Sequence, residues 1–153
     1  MRKKSLYSFN FVKSKFIKYL DDNKLRKTMD RFAILEQTYQ FNGHFDIDML
    51  YNKMKSGRFR VSRPTLYNTL ALLIDCGFVL KYQFPNKDIK YEFVFHKDTV
   101  SHYHIYNLDN NEVIEFSDNR VDKIIKDVEK KYNLEIENCN IILYGRSKDE
   151  PEE

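Results

Sequence analysis

Residues 60–80, RVSRPTLYNTLALLIDCGFVL, constrain this chain more than any other stretch. Ser62 is placed to cap a helix, because its hydroxyl can accept a free amide hydrogen of the first turn. Arg63 and Pro64 fall in that turn, where proline forfeits no helical hydrogen bond. Leu66, Leu70, Leu73 and Ile74 recur at helical spacing and give one apolar face. Gly77 offers the left-handed residue that often ends a helix. Thr65, Tyr67 and Asn68 fall off the apolar face, beside Arg63 and downstream of Arg58 and Arg60. One face in a core and a polar, aromatic, basic N-terminal end suit the DNA major groove. A plain amphipathic core helix would show the same periodicity, so the flanking segments decide between the two.

Those segments predict a helix-turn-helix with a wing. FVLKYQF and IKYEFVF alternate about PNKD, a hairpin pattern. Upstream, Phe9, Val12, Phe16 and Leu20 form a helical stripe from about Phe9, and Asp21, Asp22 and Asn23 predict a turn. Thr28 can cap a helix carrying Phe32, Ile34, Leu35 and Tyr39, with Gly43 beyond its end. Asp46 can cap the next, with Ile47, Leu50, Tyr51 and Met54 inward and Gly57 as terminator. Downstream, VSHYHIY predicts a strand, NLDNN a turn, and EVIEF the returning partner. Asp118 can then cap a helix with Val121, Ile124, Ile125 and Val128 on one face, and LEIENCNIILYG reads as a closing strand. The expected class is α+β: an N-terminal winged helix followed by a small α/β unit whose sheet edge could pair across a dimer.

Charge divides the chain in the same place. Residues 1–90 hold 18 Lys and Arg against 8 Asp and Glu, a net +10, whereas residues 91–153 hold 8 against 15, a net −7. A basic half favours a polyanionic partner, and the sign change inside the wing sets an expected boundary near residue 90. Residues 1–23 form a basic extension of the first domain. No apolar run approaches a membrane span and no secretory segment follows Met1, so a cytoplasmic protein without a membrane partner is expected. Cys76 and Cys139 lack a CxxC spacing and predict neither a disulfide framework nor a cysteine zinc site.

The acidic half offers one constellation with chemistry. On a strand, His102 and His104 point to the same side, the spacing two imidazoles need to share an ion. His44, Glu92 and Glu115 are further nitrogen and oxygen donors. Three imidazoles and two carboxylates suit a divalent first-row metal such as Fe(II), Mn(II), Co(II) or Zn(II). Spacing alone does not bring His44 to His102.

In the order LRKTMDRFAIL, GHFDIDMLY, VSRPTLYNTLALLIDCGFV, YEF, HYHIY, EVIEFSD and ILYG, the chain resembles the ferric uptake regulator (Fur) family of bacterial metal-dependent repressors, from about Lys24 to Arg146. The resemblance implies a homodimer on a double-stranded DNA operator, with an N-terminal winged helix (1–90) and a C-terminal dimerisation and metal-sensing domain (91–153). It further implies one regulatory divalent metal per subunit at the hinge, held by His44, Glu92, His102, His104 and Glu115. Thr65 and Tyr67 match positions that contact bases and backbone, and Arg26 matches a basic residue used in the minor groove. Asn68 stands where arginine is usual, which leaves Arg58, Arg60 or Arg63 to replace a phosphate contact. Asn107-Leu108-Asp109-Asn110 stands where many relatives carry CxxC, so no structural zinc held by four cysteines is expected. Ser101, Tyr103 and Arg146 also depart from an accessory metal site, of which only Asp122 remains.

Within the family that the chain resembles, an iron-responsive repressor is the expected member, because the implied ligand set is nitrogen and oxygen only with glutamate at positions 92 and 115; Fe(II) is placed ahead of Mn(II) and Zn(II). Peroxide sensing and zinc sensing are the alternatives within the family. From other classes, a metal enzyme would use His102, His104 and Glu115 around an open position, but no nucleophile, Gly-rich phosphate loop or further general base accompanies them. A winged-helix protein-interaction module without metal-gated DNA binding is the remaining alternative, raised by Asn68.

Overall fold

The computed structural model describes residues 7–57, 59–95, 102–136 and 139–148. The chain divides into two compact units, Met1–Asp98 and Thr99–Glu153.

The first unit is built on capped helices. α1 (Phe9–Asp22), α2 (Met29–Gln40), α3 (Ile47–Lys55) and α4 (Arg63–Asp75) start at Ser8, Thr28, Asp46 and Ser62. Each of those side chains accepts a backbone N–H two or three residues into its helix: Phe11, Arg31, Met49 and Thr65. Such a cap satisfies a donor that helix geometry leaves without a partner, typically contributing about 1 kcal/mol. At the far end of α4, Gly77 takes φ +78° and turns the chain into the wing. Phe78 N–H then donates back to Leu73 O, the bond pattern of a left-handed helix stop. Asp21 and Asp22 continue α1 rather than forming the expected turn, which begins only at the C-cap Asn23. Asn23 donates its side-chain amide to Tyr19 O, and Leu25 N–H donates to Leu20 O, so the carbonyls of the last turn hold the helix one step longer.

The wing is the hairpin of β2 (Val79–Gln83) and β3 (Ile89–Phe93), joined through a single 3-10 turn over Pro85–Lys87. The backbone bond from Phe84 N–H to Asp88 O closes this turn. β1 is only His44–Phe45, yet it pairs antiparallel to β3 and makes a three-stranded sheet ordered β1-β3-β2. Val12, Phe16 and Leu20 of α1, Ile34 and Leu35 of α2, and Leu50 of α3 are all completely buried. Leu66, Leu70 and Leu73 of α4 join them in one cluster that also includes Phe78, Val79 and Phe93 of the wing. Burying each such leucine contributes about 1.5–3 kcal/mol. α4 is therefore fixed by its apolar stripe, and its polar N-terminal residues are left facing outward.

The second unit is smaller. β4 (Tyr103–Asn107) is central, with β5 (Val113–Phe116) antiparallel on one side and β6 (Ile142–Gly145) parallel on the other. α5 (Asn119–Tyr132), capped by Asp118, makes the crossover between β5 and β6. The closing strand is shorter than the run from Leu134 predicts. After Asn133 turns left-handed at φ +52°, Leu134 N–H donates to Glu129 O and Ile136 N–H to Glu129 Oε1. The helix end thus takes the bonds a strand would need, and residues 137 and 138 lie outside the described residues.

Where cysteines would stand in CxxC relatives, a polar clasp closes this unit. Asp109 Oδ2 accepts Ser147 N–H at 2.9 Å, and Asp109 Oδ1 accepts Arg146 Nη1 at 2.8 Å. Asn107 adds its own side chain, accepting Asp109 N–H at 2.9 Å and donating to Ser147 Oγ at 3.3 Å. The Ser147 amide and the Arg146 guanidinium together hold the Asp109 carboxyl below its ordinary range.

Candidate metal centre and nucleic-acid interface

The predicted ligands gather into one cluster in each unit. In the first, β1–β3 pairing sets His44 directly opposite Glu92. Directly opposed residues in an antiparallel pair present side chains to the same side of the sheet. His44 Nε2 lies 3.4 Å from Glu92 Oε2, and Glu92 is only 7% exposed. A buried carboxylate needs polar partners to offset its lost hydration. One is Tyr82 of β2, whose phenol donates to Glu92 Oε2 at 3.1 Å and whose ring meets His44 edge-on, centroids 5.3 Å apart. Tyr82 was not a predicted site residue. Its sequence signal is a tyrosine one alternation from Leu80, the residue that pairs with Glu92 across the wing.

In the second unit, His104 sits opposite Glu115 across β4–β5. His102 precedes His104 by two residues, on the same side, with ring centroids 5.1 Å apart. Its Nε2 lies 4.0 Å from Glu115 Oε1. His104 is completely buried, whereas the Glu115 side chain is half exposed.

Nitrogen and oxygen atoms bound to one first-row ion at about 2.0–2.2 Å stand roughly 3–3.5 Å apart. The His44–Glu92 spacing already meets that condition. The 4.0 Å between His102 and Glu115 needs only a small side-chain adjustment. The donor set is nitrogen and oxygen throughout, which fits a divalent first-row cation. Cys76 is a poor thiolate source. Its Sγ donates to Leu73 O at 3.4 Å, and burial pushes the thiol up to about 11. Cys139 is exposed.

Of the predicted DNA-contacting residues, Arg63, Thr65, Tyr67 and Asn68 lie in the first turns of α4. Tyr67 is 48% exposed, and Asn68 and Arg63 are exposed beside it. Thr65 is half-buried, with Oγ1 2.9 Å from Ser62 Oγ, so its hydroxyl is engaged with the helix cap. Arg63 Nη1 donates to Asp48 Oδ1 of α3 at 2.7 Å. Arg60 is exposed on the loop leading into α4, and Arg26 is exposed on the loop between α1 and α2. Arg58 lies outside the described residues.

Residues 22–144 match the model of the "Ferric uptake regulator family". A "Ferric uptake regulation protein" of Vibrio cholerae is 33% identical over 129 residues, covering 83% of each chain. The ferric uptake regulator of Pseudomonas aeruginosa with manganese superposes with a TM-score of 0.71 at 26% identity, over 86% of this chain and 97% of that one. The Vibrio cholerae regulator structure gives a TM-score of 0.61 at 30% identity, over 85% and 98%. With a winged helix in its first unit and a histidine–glutamate cluster in each, the chain belongs to the ferric uptake regulator family of metal-responsive transcriptional regulators, not enzymes.

Proposed function

We propose that this chain is an iron-responsive repressor in which His44, Glu92, His102, His104 and Glu115 ligate one divalent ion per subunit. The observation that carries the reading is the pair of cross-strand registers, His44 with Glu92 and His104 with Glu115. Each places an imidazole beside a carboxylate on a rigid sheet. The relatives' names speak of ferric uptake, and one solved regulator holds manganese. Fe(II) is the ion proposed, in line with those names, and a set of imidazoles and carboxylates without thiolate also suits Mn(II) and Zn(II). The metal supplies a positive charge that only deprotonated, converged ligands can accept. The Tyr82 phenol holds the Glu92 carboxylate in place for it.

Ligands drawn from both units make metal binding and the DNA-competent arrangement mutually reinforcing. The first unit then binds a double-stranded operator through α4. Arg26, Arg58, Arg60 and Arg63 supply basic contacts, and Thr65, Tyr67 and Asn68 stand at the groove. A homodimer is supported by α5 and β6, where Ile124 is 60%, Tyr132 60%, Leu143 49% and Tyr144 53% exposed. Solvent-facing apolar residues at this density mark a surface awaiting a partner. Among the described residues, no helix is long and apolar enough to cross a membrane, in keeping with a cytoplasmic regulator.

The test is fluorescence anisotropy on a promoter pool, comparing metal-free protein with protein given Mn(II) or anaerobic Fe(II). His102→Ala/His104→Ala is measured beside it. Metal should tighten binding, and the double variant should lose that response. Equal binding with and without metal would leave a winged-helix regulator but remove the switch. Absence of binding in every condition would favour a protein-interaction module.

A further inference from the structure

We propose that Arg63 reads a guanine edge in the major groove and that Asp48 and Tyr51 of α3 aim it. This rests on the DNA-binding reading above and names the residue that gives it sequence preference. Arg63 is the single basic residue of α4 and stands in its first turn. That is the part of a recognition helix that meets base edges. Its guanidinium is held on two sides. Nη1 donates to Asp48 Oδ1 at 2.7 Å, and the guanidinium carbon lies 4.5 Å from the Tyr51 ring centroid. Asp48 and Tyr51 are three residues apart, so they share one face of α3 and form the two jaws of a clamp.

The Arg63 and Asp48 side chains are 47% and 69% exposed. A pair so open to water adds little to folding stability. What it changes is the arginine's freedom. A long exposed side chain loses rotamer entropy when it binds, and one already fixed loses less. With Nη1 committed to Asp48, the remaining guanidinium N–H groups have no hydrogen-bond partner among the described residues. Two such donors in a planar fork match O6 and N7 of guanine. The carboxylate also decides against a phosphate target. Asp48 offsets the positive charge of Arg63 and repels a backbone phosphate, so the pair offers direction more than charge. Neighbouring Arg60 is exposed, with no ion pair among the described residues, and suits the phosphates better.

The experiment is selection from a randomised duplex pool by the full-length, Mn(II)-loaded protein, with sequencing of the bound fraction. Wild type is run beside Arg63→Lys, Asp48→Ala, Asp48→Asn and Tyr51→Ala, with thermal melts as the folding control. Wild type should enrich a motif containing a guanine that Arg63→Lys no longer selects. Discrimination at that base pair should fall on the order of ten- to a hundred-fold, with other positions unchanged. Asp48→Ala and Tyr51→Ala should relax the same position by less, and Asp48→Asn, which keeps an acceptor, should retain most of it. An unchanged motif in Arg63→Lys overturns the assignment and leaves the regulator standing. So does a uniform loss across sequences with a salt slope reduced by about one, the mark of a phosphate contact. If wild type enriches no motif, the DNA-binding reading falls and this assignment falls with it.

Discussion

α1 and α5 are both 14-residue capped helices with an apolar stripe, and they end up in opposite situations. α1 carries Val12, Phe16 and Leu20 into the core of the first unit, where all three are completely buried. α5 buries none of its residues, and Ile124, Val128 and Tyr132 face outward. The two units differ in the same sense. The first closes an aliphatic and aromatic core around α4 and the wing, whereas the second ties its turn to its tail through the exposed Asp109 clasp. Amphipathicity therefore states that a face must be covered but not what covers it. In the first unit the chain supplies the cover, and in the proposed dimer a second copy does.

The largest expected effect tests the self-sufficiency of the first unit. Leu70→Ala, at a residue 1% exposed, should cost about 2–5 kcal/mol in urea denaturation. That is a large part of the roughly 5–15 kcal/mol typical of a domain. A cost under 1 kcal/mol would mean that the core around α4 is looser than its burial indicates.

Next is the uncovered helix. Ile124→Asp with Val128→Asp should weaken self-association by roughly ten-fold or more in sedimentation measurements. Stability of the isolated chain should change by only about 0.5 kcal/mol, as for other exposed positions. Unaltered association would erase the contrast between α1 and α5. A smaller effect is expected at Tyr82. Tyr82→Phe removes the hydroxyl that donates to the buried Glu92 and should weaken Mn(II) binding by about ten-fold in titration calorimetry, with the metal-free protein losing roughly 1 kcal/mol of stability.

The smallest effect belongs to the clasp. Its hydrogen bonds hold the Asp109 carboxyl below the ordinary value, so the carboxylate favours the folded state. That contribution is fully present above the ordinary pKa and is lost as pH falls through the lower folded one. Asp109→Asn should therefore melt slightly below wild type near neutral pH, and the two should converge as pH falls below the ordinary carboxylate range. A gap that persists in acid would assign the clasp to shape rather than charge.

Much of the fold is legible because its signals are local. Thr28, Asp46, Ser62 and Asp118 each begin a helix and each accept a backbone N–H, as residue type and spacing require. The wing hairpin and the β4–β5 pairing follow from alternation about a turn. The His102–His104 pair is equally local, because a strand fixes which residues share a side.

What residue order alone could not settle depends on distant chain segments. β1 is two residues long and has no periodicity to detect, yet its pairing with β3 brings His44 to Glu92 across 48 positions of sequence. Tyr82 reaches Glu92, and Asp48 and Tyr51 reach Arg63, only after the sheet and the helix pair have packed. The exposure of α5 is likewise invisible in its stripe. Helix starts, turns and alternation are set by neighbours a few bonds away, so the sequence determined them by itself. Which imidazole meets which carboxylate, which arginine is clamped and which apolar face stays open were decided by tertiary packing, because each depends on surfaces brought together only when the chain folds.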